Sequence, residues 1–168
     1  MNWEQAKADE KLAIVRDVNK VEPLYRFTPD DSIVETLDLS FYPGAKLVCL
    51  SKPLPIQPTL WYVRMPDETV ALDGSVANIH YINDKAPLGL SAQTISDYLK
   101  FRLYFAGNAW MEGVVALESP EGFNATARVL EKEALYEKKI RISPMGELTL
   151  QSKKKIGEGG RIPDKFSL

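Results

Sequence analysis

Histidine and cysteine are almost missing from this chain: His80 and Cys49 are each alone among 168 residues. One thiol rules out an internal disulfide. One imidazole and one thiol cannot supply the three or four N/S ligands of a zinc or iron centre. An oxygen-ligated metal is the one kind left open, though the chain lacks an Asp-x-Asp calcium loop; the expectation is no metal and no cofactor. Long apolar runs are lacking too: the purest, Leu47-Val48-Cys49-Leu50, is strand-sized, far below the roughly 18 residues of a membrane span. The opening Met1-Asn2-Trp3-Glu4-Gln5 leads into lysines and acids without the apolar core of a signal peptide. With the lone thiol, this makes a soluble, cytoplasmic protein with no membrane partner the expectation. Gly157-Glu158-Gly159-Gly160 lacks the Lys-Ser/Thr pair of a phosphate-cradling loop and reads as flexible tail.

A strong charge of either sign is also missing, since the net charge is only −2. It conceals an asymmetry. Residues 1–122 hold 11 basic and 17 acidic side chains, a balance of −6, whereas residues 123–168 hold 10 and 6, a balance of +4. A basic end on an acidic body attracts anionic partners but is weak for a nucleic-acid surface. The remaining composition, 45% hydrophobic and 26% charged, is that of an ordinary globular domain. Residues 1–155 read as one domain without repeats or linkers, and 156–168 as a flexible carboxy-terminal tail.

Helical spacing appears first over residues 3–18, where Asn2 offers a cap and Leu12, Val15 and Val18 recur on one face. Thr28-Pro29-Asp30-Asp31 reads as a second helix start, with a hydroxyl cap, proline at the first position and acids on the dipole. Tyr42-Pro43-Gly44 is a turn. Strands are expected at Leu47–Ser51 and Thr59–Met65, with Thr69–Leu72 pairing across Pro66-Asp67-Glu68. Pro53, Pro55 and Pro58 forbid regular pairing between the first two. Asp73-Gly74 closes that segment as a turn. Ser91 opens a helix over 92–106 whose apolar residues, Ile95 to Phe105, cover more than one face, so other elements must enclose it. Val114–Leu117 is the next strand.

The last third reads as an antiparallel meander. A loop Pro144-Met145-Gly146, with Gly146 left-handed, pairs Ile142 with Leu148 and Ile140 with Leu150. The same register sets Lys139 and Arg141 beside Thr149 and Gln151, and Glu137 opposite Lys153. A turn at Lys132-Glu133 sets Val129 opposite Tyr136 and Phe123 opposite Ile142. A helix through 127–139 is the rival reading, because Ala, Leu, Glu and Lys dominate there. The fold class is therefore α+β: a curved antiparallel sheet ending in this meander, packed on the 92–106 helix, with amino-terminal helices covering one edge.

The order Leu72-Asp73-Gly74-Ser75, Ile79-His80, Asn83, Leu88, Leu90, Asp97-Tyr98-Leu99-Lys100-Phe101 and Val114–Ser119 resembles a group of uncharacterised bacterial proteins. These share a turn, an Ile-His pair, an Asp-Tyr-Leu helix and a strand ending in Glu-Ser. The resemblance spans roughly residues 70–155. Trp110-Met111-Glu112-Gly113 stands where the group tends to have Gly-Pro-Phe. It implies a shared fold and no chemistry.

Two regions carry candidate function. His80, with Tyr81, Asp73, Asp97 and Lys138, forms a pocket site if the fold brings them together, with a carboxylate orienting the imidazole as a base. Alone, His80 is a ring packed under a loop. Lys138 points to the same face as Ile140 and Ile142, so if buried it needs an anion or snorkels out. The second region is the basic hairpin of Lys139, Arg141, Lys153 and Lys155. It is a partner-binding strip or an edge guarded by lysines against stray pairing. With no catalytic constellation visible, the first reading is a non-catalytic binding module that recognises a protein partner. A small-molecule pocket protein or His80 enzyme is the second, and nucleic-acid binding through the hairpin the third.

Overall fold

The computed structural model describes residues 2–53 and 59–168, so Pro55 and Pro58 lie outside it. The described residues form two antiparallel sheets and three helices, an α+β architecture. Sheet A has the order β1 (Glu4–Gln5), β2 (Ile33–Asp38), β3 (Lys46–Ser51), β4 (Leu60–Arg64) and β5 (Thr69–Ala71). Sheet B is the meander β6 (Trp110–Ser119), β7 (Gly122–Glu131), β8 (Ala134–Ile142) and β9 (Leu148–Glu158). The helices are α1 (Ala8–Val21), α2 (Val76–Lys85) and α3 (Ile95–Gly107).

Sheet A is covered on both faces, which explains its unbroken apolar run. Successive side chains of a strand point to opposite sides. Val48 and Leu50, with Val34 and Tyr62, pack against Ile14, Val15 and Val18 of α1. Leu47, with Leu37 and Val63, joins the core shared with α2, α3 and sheet B. β3 thus needs apolar residues at every position from Leu47 to Leu50, and all four are buried.

The amino-terminal expectations shift here. Glu4 and Gln5 pair with Thr36 and Glu35 as a short strand, so α1 starts at Ala8 rather than near residue 3, and Asn2 does not cap it. Leu12, assigned to the apolar stripe, is exposed. Thr28-Pro29-Asp30-Asp31 is a turn and not a helix start. The Thr28 N–H donates to Asp31 Oδ1 at 2.9 Å and the Asp31 N–H to Thr28 Oγ1 at 3.3 Å. The reciprocal cap closes on itself, and β-branched Ile33, Val34 and Thr36 then favour strand. α1 is the one amino-terminal helix, and it covers a face of sheet A.

Helix α2 was not legible, because Val, Ile and Asn are indifferent helix formers. Its start is chemically explicit all the same. Ser75 Oγ accepts from the Ala77 N–H at 3.1 Å, and Asp73 Oδ1 accepts from the Ser75 N–H at 2.9 Å. Helix α3 carries the enclosed arc that its sequence implies, burying Ile95, Tyr98, Leu99, Phe101, Arg102, Leu103 and Phe105. It ends on Asn108, which takes the left-handed conformation (φ 44°) one residue beyond Gly107.

The meander follows the expected register at Ile142↔Leu148, Ile140↔Leu150, Val129↔Tyr136 and Phe123↔Ile142. The helical rival over 127–139 is therefore replaced by β7 and β8. Lys132 and Glu133 both adopt positive φ, as a two-residue hairpin turn demands despite their side chains. Beyond Leu150 the register departs from expectation, because β9 carries an extra residue there. Lys139 faces Ser152 rather than Gln151, and Glu137 faces Lys154 rather than Lys153. A second shift lies between Lys155 and Gly157.

The carboxy-terminal segment, read as a tail, is placed otherwise. β9 runs on to Glu158, and the Gly159 N–H donates to Glu133 O at 2.9 Å. Phe166 is fully buried among Phe101, Tyr104 and Phe105, and Trp3 Nε1 donates to its carbonyl at 2.8 Å. Phe166→Ala should therefore cost about 3–5 kcal/mol, the usual range for truncating a buried aromatic. Urea unfolding reads this as a lower midpoint at unchanged slope; an unshifted midpoint contradicts the docking of the segment.

Candidate functional site

His80 and Tyr81 lie on α2 and Asp73 just before it, whereas Asp97 is on α3 and Lys138 on β8. Asp73 supports the Ser75 cap of α2, its Oδ1 accepting from the Ser75 N–H at 2.9 Å and from Asn78 Nδ2 at 3.1 Å. Tyr81 donates its hydroxyl to Glu68 at 2.8 Å, outside the core. Asp97, in the first turn of α3, accepts from Ser40 Oγ at 3.2 Å. Lys138 belongs to sheet B, where its ammonium meets Glu131 at 2.7 Å. His80 sits half-buried on α2 rather than under a loop. Two clefts flank the turn Pro66-Asp67-Glu68. One, of about 590 Å³, is bounded by Lys85-Ala86-Pro87, and the other, of about 460 Å³, by Arg16, Lys20 and Arg64. None of His80, Tyr81, Asp73, Asp97 or Lys138 lines either cleft. No group of three His, Cys, Asp or Glu side chains among the described residues is arranged to hold a metal ion.

A polar chain through the core instead fixes the meander in place. Asn83 of α2 accepts a hydrogen bond from the Tyr42 hydroxyl and donates to Tyr98 Oη at 2.9 Å and to the Met145 carbonyl at 3.0 Å. Tyr98 donates in turn to the Gly146 carbonyl at 2.6 Å. The turn between β8 and β9 is thus bolted to both helices. Gly146 is required there: its φ is +78°, and an added Cβ would meet Tyr98 Oη at 2.2 Å.

From that turn β9 runs out uncovered. It is 11 residues long, it is the last strand of its sheet, and Thr149 to Ile156 are exposed without interruption. Leu150 and Ile156 are among these, 54% and 43% exposed. Along the outer edge of β9, backbone N–H and C=O groups have no neighbouring strand among the described residues. The charges of the hairpin divide between its two faces. On the inner face, Lys138 and Lys153 both donate to Glu131 Oε2, at 2.7 and 3.0 Å, and the Lys153 ammonium lies 4.1 Å from the Tyr136 ring centroid. Glu131 is held below the usual carboxylate range, chiefly by its bond from Lys138. One face of the Tyr136 ring is thereby taken by a cation, leaving it unfit to stack a base on that side. Lys139 and Arg141 lie on the outer face, where Arg141 pairs with Glu121. Lys155 pairs with Glu158.

Of these features, the lysines of the hairpin were legible in sequence. Glu131, Leu150 and Ile156 as parts of the site were not. One available signal was that no acid occurs between Glu147 and Glu158. Cys49 is buried in β3, and burial pushes its thiol up to about 12, so it is no thiolate at neutral pH. In comparisons with known protein families, curated proteins and solved structures, nothing matches this chain.

Two outcomes follow from these environments. Glu131→Gln leaves the buried Lys138 without its counter-charge and should cost about 1–3 kcal/mol at pH 7. Because the folded-state pKa of Glu131 is depressed, its contribution is present above the unfolded value of about 4.3 and is lost as pH falls through the folded one. Denaturation from pH 7 down to pH 2 should show the variant converging on the parent; a constant gap across that range contradicts the pairing. Cys49, for its part, should resist a maleimide in the folded protein at pH 7.5 and react within minutes in 6 M guanidinium. Equal labelling in both conditions contradicts its burial.

Proposed function

We propose that this protein is a non-catalytic binding module that recognises another protein by accepting an extended segment along the open edge of β9. One observation carries the reading: a strand of 11 residues, bare on both faces from Thr149 to Ile156, ends a sheet anchored through Gly146 and Met145 to the core. Natural sheets blunt such edges by shortening or covering them, or with lysines and bulges; β9 has the lysines and two register shifts but keeps its length. Here the edge is long, held at its start by the Met145-Gly146 turn and at its end by the Gly159 N–H bond to Glu133, and carries exposed Leu150 and Ile156. Strand addition draws its affinity from main-chain hydrogen bonds and its selectivity from alternate side chains. Tyr81, Asp73, Asp97 and Lys138 each bind a different partner, and neither they nor His80 line the two clefts beside Pro66-Asp67-Glu68, which speaks against a shared pocket. The capped face of Tyr136 speaks against nucleic acid. A lone, buried thiol suits a reducing compartment, so the proposal places the protein in the cytoplasm.

The reading is tested by retrieving partners with the parent protein, with Leu150→Lys on the edge, and with Leu117→Lys on the far strand β6. Both positions are exposed, so both variants should fold. The expected result is loss of the bound protein with Leu150→Lys alone, and at least about tenfold slower amide exchange along β9 in the complex. Retention by Leu150→Lys, with exchange slowed at other elements, overturns it.

A further inference from the structure

The lysine run that guards the edge of β9 also selects what may join it. No acid occurs from Leu148 to Gly157, and Lys153, Lys154 and Lys155 stand together in the middle. The two register shifts fall on either side of this run, at Gln151 and Ile156, so the strand between them is regular. Lys153 and Lys155 therefore share the inner face, opposite Lys138 and Tyr136, and Lys154 takes the outer face. On the inner face three lysines, Lys138, Lys153 and Lys155, meet two acids, Glu131 and Glu158, and Lys155 holds Glu158 in an exposed pair that an incoming acid would share. Glu131 is shared between Lys138 and Lys153 through one oxygen, so that group keeps one unmatched positive charge. Leu150 follows on the same face as an exposed apolar step, through its pairing with Ile140.

A strand added beside β9 sets its side chains about 4.5–5.5 Å from those of its neighbour. A second copy of this chain is a poor occupant, because antiparallel β9–β9 pairing brings the two lysine runs together. Like charges directly opposite destabilise a sheet. The same arrangement rewards acids.

Resting on the binding-module reading above, we infer that the β9 edge is a docking site for an acidic extended segment with the order acid–x–acid–x–apolar. Its first acid meets Lys155, its second Lys153, and its apolar residue packs on Leu150. The added strand is antiparallel to β9, as every neighbouring pair in sheet B is. The spacing repeats what β8 already does on the other side of β9, where Tyr136, Lys138 and Ile140 stand opposite Lys155, Lys153 and Leu150. Repulsion excludes basic strands and self-association, and attraction admits the acidic one, so the lysines set specificity from both directions.

The test is selection of twelve-residue peptides from a random library on the full-length protein, followed by amide exchange with each recovered peptide bound. Recovered sequences should carry two acids at alternate positions followed by an apolar residue and should slow exchange along β9. Replacing both acids with their amides should weaken binding about tenfold or more, with an affinity that falls as salt rises. Lys155→Glu, at an exposed position, should lose the same peptides while unfolding as the parent does. Peptides that slow β9 exchange but need no acids overturn the acidic assignment and leave the edge reading intact. Binders that slow exchange only at other elements, an absence of binders, or tighter binding of an oligothymidine than of any acidic peptide overturn both.

Discussion

Everything in this fold depends on α3 being enclosed. One helix presents Tyr98, Phe101 and Phe105 to a core that draws on sheet A, sheet B, α2 and the carboxy-terminal Phe166. The rings meet edge-on or tilted, with Phe41, Tyr42 and Tyr98 continuing the cluster, the geometry that aromatic quadrupoles prefer. Burying polar tips in such a core requires partners. The Asn83 amide supplies them, linking Tyr42, Tyr98 and the Met145 carbonyl. The buried polar chain thus serves two ends: it satisfies the hydroxyls and fixes the position of the last hairpin.

That anchoring explains how β9 can remain exposed and still be ordered as a strand. Its first residues leave a turn held by two helices, and its last lead into a segment whose Phe166 is locked in the core. Between those ends its sheet neighbour among the described residues is β8. An edge held at both ends loses little further freedom when another strand joins it, so more of the gross interaction appears as affinity. The shared carboxylate of Glu131 is part of the same economy, since it lets Lys138 lie buried while Lys153 remains within reach of solvent.

The correspondence between sequence and fold varied with the range of the forces involved. The hairpins of sheet B were legible because turn chemistry and period-two alternation are local and reinforce one another: Gly146 sets the loop, and Ile140, Ile142, Leu148 and Leu150 set the face. The extra residue at Gln151 was not, because a bulge leaves no signature among polar, exposed positions. Helix α2 escaped because its residues have weak intrinsic preference; burial of Ile79 and Ile82 against the core decides it. Thr28–Asp31 shows the converse, a strong local cap signal spent on a turn once β2 was claimed by sheet A.

Local residue patterns were enough for the α+β class, the enclosed nature of α3, the registers next to the two hairpin turns and the burial of Cys49. Each of these follows from side-chain polarity and backbone preference within a few residues. Long-range packing was needed to divide the strands into two sheets, to return Phe166 to the core, to bring Lys138 and Lys153 onto Glu131, and to leave β9 as an open edge. Those facts turn on which surfaces meet across long stretches of chain. Periodicity reports that a face is buried; it does not report against what.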